Sequence, residues 1–296
     1  MVQNLLSTLD PDQQRAVTAP LDRPILVTAS AGSGKTAVLV SRVGYLLDQG
    51  LHPPRILATT FTRNAAQELK DRVARLVGEK AYGVEASTIH SFCLRFMGRY
   101  QRRAEVLDGR IQRRIVGDAL DEIYTEYGVP PKSRLGWRYW MQWLDWMKTR
   151  GANEAQVHEH MAKSRPQGMG NKALARIAMN LLDRYESTKG EMVDFTDLLT
   201  GTWKLLQKEE VRAETQAWYR YVLVDELQDT SALQMDILST VARDTALFGV
   251  GDPDQSLYGF RDATPQQNIC GFLKRYPTGE IVKLGTTYRS TQTLVC

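Results

Sequence analysis

A glycine-rich segment near the N-terminus constrains the fold of this chain more than any other feature. The segment reads Ala29-Ser30-Ala31-Gly32-Ser33-Gly34-Lys35-Thr36, and it lies between an apolar run at 25–28 and a helical pattern at 38–47. A strand, a glycine-rich turn and a helix in this order form a loop whose backbone N–H groups face a phosphate. The general pattern has glycine where this chain has Ala29. We predict a phosphate-binding loop in which Lys35 neutralises the β- and γ-phosphates and Thr36 offers its hydroxyl to Mg²⁺.

Two carboxylates at the end of another apolar run supply the other half of this chemistry. Residues 221–224 read Tyr-Val-Leu-Val and are followed by Asp225 and Glu226. Ligands bind at the carboxyl ends of the strands in parallel sheets, so both acids would face the phosphates. We predict that Asp225 holds Mg²⁺ through water and that Glu226 orients or deprotonates the attacking water. An ordinary strand end with exposed acids is the alternative, and the polar residues at 228–229 and 251–255 argue against it.

Apolar runs that alternate with helical patterns predict an α/β fold with a parallel sheet covered by helices on both faces. The runs lie at 25–28, 56–60, 221–224, 247–250 and 281–284. Between about residues 94 and 194 such runs disappear, and apolar residues recur at helical spacing. A chain of 296 residues also suits two domains better than one core. We therefore expect a sheet built from both ends of the chain and interrupted by an all-helical insertion.

The charge of the chain is unevenly distributed. The net charge is +4, but residues 55–114 carry thirteen Lys or Arg against six Asp or Glu, which leaves minus three for the remainder. A local positive excess of this kind indicates a polyanionic partner, with a solvated helical face as the alternative.

Other features of the composition exclude several classes of protein. No apolar run approaches the roughly 18 residues of a membrane span, and the first thirty residues carry acids where a signal peptide would be basic and then apolar. The three cysteines, Cys93, Cys270 and Cys296, lack the spacing of a zinc site or a disulfide framework. We expect a folded cytoplasmic protein with no membrane partner.

Several motifs together resemble the N-terminal part of a UvrD/Rep/PcrA-type superfamily 1 DNA helicase. Besides the two segments above, the resemblance rests on Leu9-Asp10-Pro11-Asp12-Gln13, Thr59-Thr60-Phe61-Thr62-Arg63-Asn64-Ala65-Ala66, Ser87-Thr88-Ile89-His90-Ser91-Phe92, Gly251 through Arg261, and Thr287-Tyr288-Arg289-Ser290. The resemblance implies a RecA-like P-loop NTPase domain with a helical insertion. It also implies ATP and Mg²⁺ as cofactors and single-stranded DNA or a single-strand/duplex junction as partner.

The resemblance further implies roles for individual residues. Gln13 would read adenine, Tyr288 would stack on the base, Gln255 would sense the γ-phosphate and Arg289 would approach it. The single-strand path would be lined by Phe61, Thr62, Arg63, His90, Tyr258, Phe260 and Arg261. Cationic groups for phosphates and aromatic faces for bases suit sequence-tolerant binding of a single strand. The chain departs from the family at Ala37, where many relatives have an arginine near adenine, and at Leu227, where an aromatic residue is usual.

Four domain boundaries follow from the pattern and the resemblance. We expect a first part of the RecA-like domain at 1–93, a helical insertion at 94–196, a second part at 197–285 and the truncated start of a second motor domain at 286–296. In the family ATP lies between two motor domains. We therefore expect the full-length protein to be an ATP-dependent DNA helicase that hydrolyses ATP, and these residues alone to be weakly active or inactive.

Two other classes of function remain open at this point. A catalytically silent module could bind nucleotide or nucleic acid within a larger assembly. The chain could also be a phosphate-loop kinase or GTPase, although no Asn-Lys-x-Asp guanine-reading motif occurs in it. The set Lys35, Thr36, Asp225, Glu226 and Gln255 favours an origin in active hydrolysis.

Overall fold

The computed structural model describes residues 6–101, 105–164, 170–243, 246–252 and 266–288. The chain divides into two compact units, one formed by residues 1–92 with 203–296 and the other by residues 93–202. The helical insertion predicted from the sequence spans 94–196, and the second compact unit spans 93–202. Both of these segments end within the helix Phe195–Leu206.

A six-stranded parallel sheet forms the centre of the first unit. Its strands are β1 (Ile25–Ala29), β2 (Ile56–Thr60), β3 (Glu85–Thr88), β4 (Tyr221–Val224), β5 (Leu247–Gly251) and β6 (Glu280–Leu284). They lie in the order β3-β2-β4-β5-β1-β6, and every neighbouring pair is parallel. The predicted α/β class with a parallel sheet built from both ends of the chain is therefore confirmed.

Helices connect the strands and make up most of the described part of the second unit, which also contains an isolated β-bridge between Val106 and Val193. In chain order they are α1 (Pro11–Thr18), α2 (Lys35–Asp48), α3 (Arg63–Val77), α4 (Ile89–Tyr100), α5 (Gly109–Glu126), α6 (Trp137–Arg150), α7 (Glu154–Ser164), α8 (Asn171–Lys189), α9 (Phe195–Leu206), α10 (Glu209–Trp218), α11 (Ala232–Val241) and α12 (Phe272–Arg275). A π-helix spans Gln266–Cys270, and short 3₁₀ turns span Pro53–Arg55, Gly78–Ala81, Pro131–Ser133 and Leu227–Asp229. None of the helices that the structure describes has the length and apolar character needed to cross a membrane.

Strand β3 was not predicted from the sequence. It reads Glu-Ala-Ser-Thr and pairs with β2, with Leu57 opposite Glu85 and Thr60 opposite Thr88, and in the described part of the chain it is an edge strand of the sheet. Small and polar residues replace the apolar run that marks the other strands, so hydrophobic periodicity gives no signal for it. Ala86, Ser87 and Thr88 are nevertheless buried.

Apolar side chains pack between the sheet and its helices in the first unit. Ile25 and Val27 of β1 pack with Val38 and Val43 of α2 in one buried cluster that also includes residues of β2, α3, β4, β5 and β6. The same layer buries Arg42 completely. Its guanidinium donates to the carbonyls of residues 17, 19 and 20 and to the hydroxyl of residue 221, so it ties the chain before β1 to the start of β4.

A separate apolar cluster forms the core of the helical unit. Trp140, Trp143, Leu144 and Met147 of α6 are buried there against residues of α5, α7 and α8. Beside this core, Lys148 contacts the carboxylate of Asp194 at 2.5 Å. Further ion pairs join Lys148 to Glu186 and Asp197, and Lys189 to the same two acids. The two lysines thus offset two of the three negative charges of these acids.

Candidate functional site

The phosphate-loop segment lies between β1 and α2, where parallel-sheet proteins bind their ligands. Ala29 ends the strand and Lys35 begins the helix. Gly32 has a φ of 79° and Gly34 a φ of 86°, a left-handed conformation that residues with a Cβ avoid. No side chain caps α2, and its N-cap is Gly34. The first backbone N–H groups of α2 therefore face the loop, as an anion site requires.

Gln13 contacts the loop from the preceding helix. Asp10 caps α1, and its carboxylate accepts from the N–H of Gln13 at 2.8 Å while its own N–H donates to Gln13 Oε1 at 3.2 Å. The other end of the amide, Nε2, donates to the carbonyl of Ser33 at 3.0 Å. A Cβ at Gly34 would lie 2.5 Å from that same Nε2. The glycine leaves the space into which the amide fits.

Lys35 is paired with an acid from the neighbouring strand. Its Nζ lies 3.3 Å from Oδ2 of Asp252, which directly follows β5, and the two side chains are 12% and 2% exposed. Strand β5 lies between β1 and β4, so Asp252 is flanked by the phosphate loop and by the Asp225–Glu226 pair. In sequence, Asp252 is one of the residues at 251–255, and nothing local assigns it a role. Only the strand order shows that it meets Lys35.

Three carboxylates follow β4 in close succession. The N–H of Asp225 continues the ladder to β2 by donating to the carbonyl of Thr59 at 2.9 Å. Burial raises the pKa of Asp225 to about 6, and the negative charge of Glu226 acts in the same direction. The pKa of Asp229 is also raised to about 6, by burial and then by Glu226, and its buried Oδ1 has no hydrogen-bond partner among the residues that the structure describes. The positive charge of Lys35 acts in the opposite direction on both pKa values. Carboxylate oxygens such as these are the ligands that Mg²⁺ prefers in proteins.

The backbone of Glu226 is left-handed, with φ 52° and ψ 51°. A non-glycine residue in this conformation carries strain of about 1–3 kcal/mol and persists where its surroundings over-determine it. The surroundings here are a 3₁₀ turn, Leu227–Asp229, whose residue Gln228 is 1% exposed. Gln228 Nε2 donates to Glu226 Oε2 at 2.7 Å, and its Oε1 accepts from the N–H of Asp252 at 3.0 Å. Gln228 closely follows Glu226 in sequence, but only the fold shows these two contacts.

The segment after β6 also lies against the phosphate loop. The hydroxyl of Thr287 donates to the carbonyl of Ala31 at 3.1 Å, and the N–H of Tyr288 donates to the carbonyl of Gly32 at 2.9 Å. The ring of Tyr288 is 61% exposed, and its hydroxyl donates to Asp10 at 2.6 Å. Tyr288 and Gln13, the two residues predicted to contact the base, thus both lie beside the loop.

The described part of the predicted DNA path lies at the ends of β2 and β3. Phe61 is 36% exposed and directly follows β2. Thr62 caps α3 by accepting from the N–H of Ala65 at 3.1 Å, and the exposed Arg63 begins the helix. His90 lies half-buried in the first turn of α4. Because β2 is the neighbour of β4, this group lies closer to the acids that follow β4 than to the phosphate loop that follows β1. Like the residues predicted to bind nucleotide, it lies at the carboxyl ends of the strands.

Five of the predicted site residues lie outside the described residues. They are Gln255, Tyr258, Phe260, Arg261 and Arg289. Their roles stay predictions.

Comparison with known proteins shows the family of this chain. Residues 9–277 match the model of the UvrD/REP helicase N-terminal domain. The chain is 33% identical to the ATP-dependent DNA helicase PcrA of Staphylococcus aureus, over 98% of this chain and 39% of that protein. It is 32% identical to a probable DNA helicase II homolog of Mycoplasma capricolum, over 99% of this chain and 41% of that protein. The chain spans about two fifths of the length of these relatives. The family match covers most of the chain, and the chain therefore belongs to the UvrD/REP helicase N-terminal domain family.

Proposed function

We propose that this chain is the ATP- and single-stranded-DNA-binding first motor domain of an ATP-dependent DNA helicase. The observation that carries the proposal is the meeting of Lys35, Asp225 and Glu226 at one edge of the parallel sheet, beside an uncapped helix N-terminus. The printed names of the relatives, ATP-dependent DNA helicase and DNA helicase II homolog, agree with it.

The residues of the site divide the work of phosphoryl transfer. The N–H groups at the start of α2 bind phosphate oxygens, and Lys35 exchanges Asp252 for the β- and γ-phosphates. Thr36 and Asp225 would hold Mg²⁺, which would supply positive charge to neutralise the phosphates. Glu226 accepts a proton from the attacking water or orients it. Gln13 and Tyr288 bind the base.

DNA binds at the ends of β2 and β3 in this proposal. Arg63 at the N-terminus of α3 attracts the phosphates, and Phe61 offers a face on which a base stacks. The path continues along His90 and along Tyr258, Phe260 and Arg261. The partner is a single strand or a single-strand/duplex junction, and a second motor domain completes the nucleotide cleft.

The test is ATP hydrolysis by the full protein with and without single-stranded DNA. Lys35→Ala removes a phosphate counter-charge and weakens ATP binding. Glu226→Gln keeps the shape of the side chain and removes the base, so ATP still binds while hydrolysis falls. Hydrolysis at the wild-type rate by Glu226→Gln would refute its role. ATP binding without any DNA-stimulated hydrolysis by the wild type would instead indicate the silent module.

A further inference from the structure

The strongest unassigned feature of the described chain is the side chain of Gln228. It is almost completely buried, and its amide is hydrogen-bonded at both ends. One end contacts the carboxylate of Glu226 and the other contacts the backbone of Asp252, whose own carboxylate pairs with Lys35. Gln228 is thus the middle of a continuous series of contacts from Lys35 to Glu226.

The chemistry of the two contacts determines how the amide of Gln228 is oriented. A backbone N–H can only donate, so the amide oxygen must face Asp252. A carboxylate accepts hydrogen bonds, so the amide nitrogen must face Glu226. A glutamine meets both demands at once, whereas a glutamate in its place would accept from Asp252 and repel Glu226.

The surroundings of Gln228 hold it in this position. Asn268, which is buried in the π-helix Gln266–Cys270, donates through Nδ2 to the carbonyl of Leu227 at 3.0 Å and to that of Thr230 at 2.6 Å. These two bonds bracket the turn that carries Gln228. A Cβ at Gly251 would lie 2.8 Å from Gln228 Oε1, so the absence of a side chain there leaves room for the amide.

We propose that Gln228 is a positioning residue for hydrolysis. Its amide holds the carboxylate of Glu226 in a fixed position relative to Lys35, because the same amide is bonded to the backbone of Asp252, whose carboxylate pairs with Lys35. The proposal rests on the proposed function, because it takes Glu226 as the group that orients or deprotonates water. It is strengthened by the left-handed backbone of Glu226, since a strained residue keeps its conformation only where neighbours hold it. Gln228 acts through Glu226 and Asp252, the two residues that its amide contacts.

The test compares two substitutions at Gln228 in the full protein. Gln228→Met keeps the length of the side chain and removes both hydrogen bonds, and Gln228→Glu keeps only the bond from Asp252. We expect kcat for DNA-stimulated ATP hydrolysis to fall about 10- to 100-fold in both, with KM and the affinity for a fluorescent ATP analogue unchanged. Binding of the analogue also shows that each variant is folded. If Gln228→Met does not fold, Gln228→Glu carries the test.

Gln234→Met is the matched control. This glutamine lies in the next helix, α11, where its amide oxygen accepts from the N–H of Ser231 at 3.0 Å as part of a capping box. The substitution removes a local glutamine bond of similar length without touching the series from Lys35 to Glu226. We expect kcat of this variant to equal that of the wild type.

A double variant separates positioning of Glu226 from general structural support. If Gln228 acts through Glu226, Gln228→Met slows the wild type but does not slow the residual hydrolysis of Glu226→Gln further, measured in single turnovers. An equal proportional loss in both backgrounds would overturn the proposal, and so would wild-type kcat in both Gln228 variants. Wild-type hydrolysis by Glu226→Gln alone would instead refute the assigned base, so the two failures are distinguishable.

Discussion

At the scale of single residues, the site depends on side chains and glycines that fit one another closely. The amide of Gln13 occupies the space that a side chain at Gly34 would fill, and the amide of Gln228 occupies the space beside Gly251. Although burial acts in the opposite direction, the Tyr288 hydroxyl and the Gln13 N–H hold the pKa of Asp10 below its ordinary value. Small substitutions in this region therefore have effects that depend on the neighbour they displace.

Gly34→Ala tests the fit between the phosphate loop and Gln13. The new Cβ would face Gln13 Nε2 at 2.5 Å in a backbone with φ 86°, so we expect loss of the Gln13–Ser33 bond and weaker ATP binding. Gly50→Ala is the control, because its φ is 85° and nothing lies within 4 Å of its Cβ. Both variants pay about 1–2 kcal/mol for the left-handed backbone. Equal ATP affinity of the two variants, measured by titration, would contradict the prediction.

Asp225→Asn tests the electrostatics of the site. The pKa of Asp225 is about 6 in the fold against 3.8 for the ordinary carboxyl. A raised acid pKa stabilises the fold fully below about pH 4 and loses that contribution as the pH rises through about 6. At neutral pH the ionised carboxylate then costs up to about 3 kcal/mol, which asparagine avoids.

We therefore expect Asp225→Asn to melt above the wild type at neutral pH, in the presence of EDTA and without nucleotide. The difference should shrink as the pH falls through about 6 and vanish near pH 4. Thermal unfolding across this range is the measurement. A difference that stays constant with pH would show that the charge of Asp225 is not its source.

At the scale of elements, the parallel sheet assembles the site because its six strands end at one edge. The phosphate loop follows β1, Asp252 follows β5 and Asp225 follows β4. These strands are consecutive in the sheet, although β1 is far from β4 and β5 in sequence. The predicted DNA residues follow β2 and β3, the next strands in the same order. The residues predicted to bind nucleotide and those predicted to bind DNA thus form adjacent groups along one edge of the sheet.

Arg63→Ala tests the DNA side of this arrangement. Arg63 begins α3, where the positive end of the helix dipole adds to its charge. Its loss should weaken binding of single-stranded DNA and reduce the slope of log affinity against log salt by roughly 0.7. Arg75→Ala is the control, since Arg75 lies on the same helix about 18 Å further along. Equal salt slopes of Arg63→Ala and the wild type would remove Arg63 from the path.

At the scale of the whole molecule, hydrolysis requires charge from across the nucleotide. An arginine that reaches the γ-phosphate from another domain contributes roughly 10³ to 10⁵ in rate. The phosphate loop, residues 29–36, supplies one cation of its own, Lys35. The chain also spans only about two fifths of its relatives. The proposed function therefore predicts full activity only for a protein that carries both motor domains.

Residues 1–296 alone should bind Mg–ATP weakly, hydrolyse it little and respond little to single-stranded DNA. Closure of two domains around nucleotide and strand couples the two ligands, and one domain cannot supply it. Steady-state hydrolysis with and without DNA measures this, and Lys35→Ala corrects for contaminating ATPases. Robust DNA-stimulated turnover by residues 1–296 would contradict the two-domain requirement.

The family and the fold class were predictable from short segments. Two of these segments are a glycine-rich turn between strand and helix and an apolar run that ends in two acids. Both patterns depend on neighbouring residues and can be recognised without the tertiary structure. The predicted family is confirmed. Strand β3 was missed because Ala86 is its one apolar residue, so that its place in the sheet depends on pairing with β2 and not on an apolar run. The roles of the site residues stay predictions.

The amino-acid sequence by itself determined which groups are available: a glycine-rich loop between a strand and a helix, two adjacent carboxylates, and aromatic and basic residues after β2. These depend on neighbours in the chain, where spacing alone sets the geometry. Only the tertiary structure decided which groups meet. Asp252 pairs with Lys35, and Gln228 joins Asp252 to Glu226, because β5 lies between β1 and β4. Such contacts follow from strand order, which arises from packing the whole sheet and not from any local run of residues.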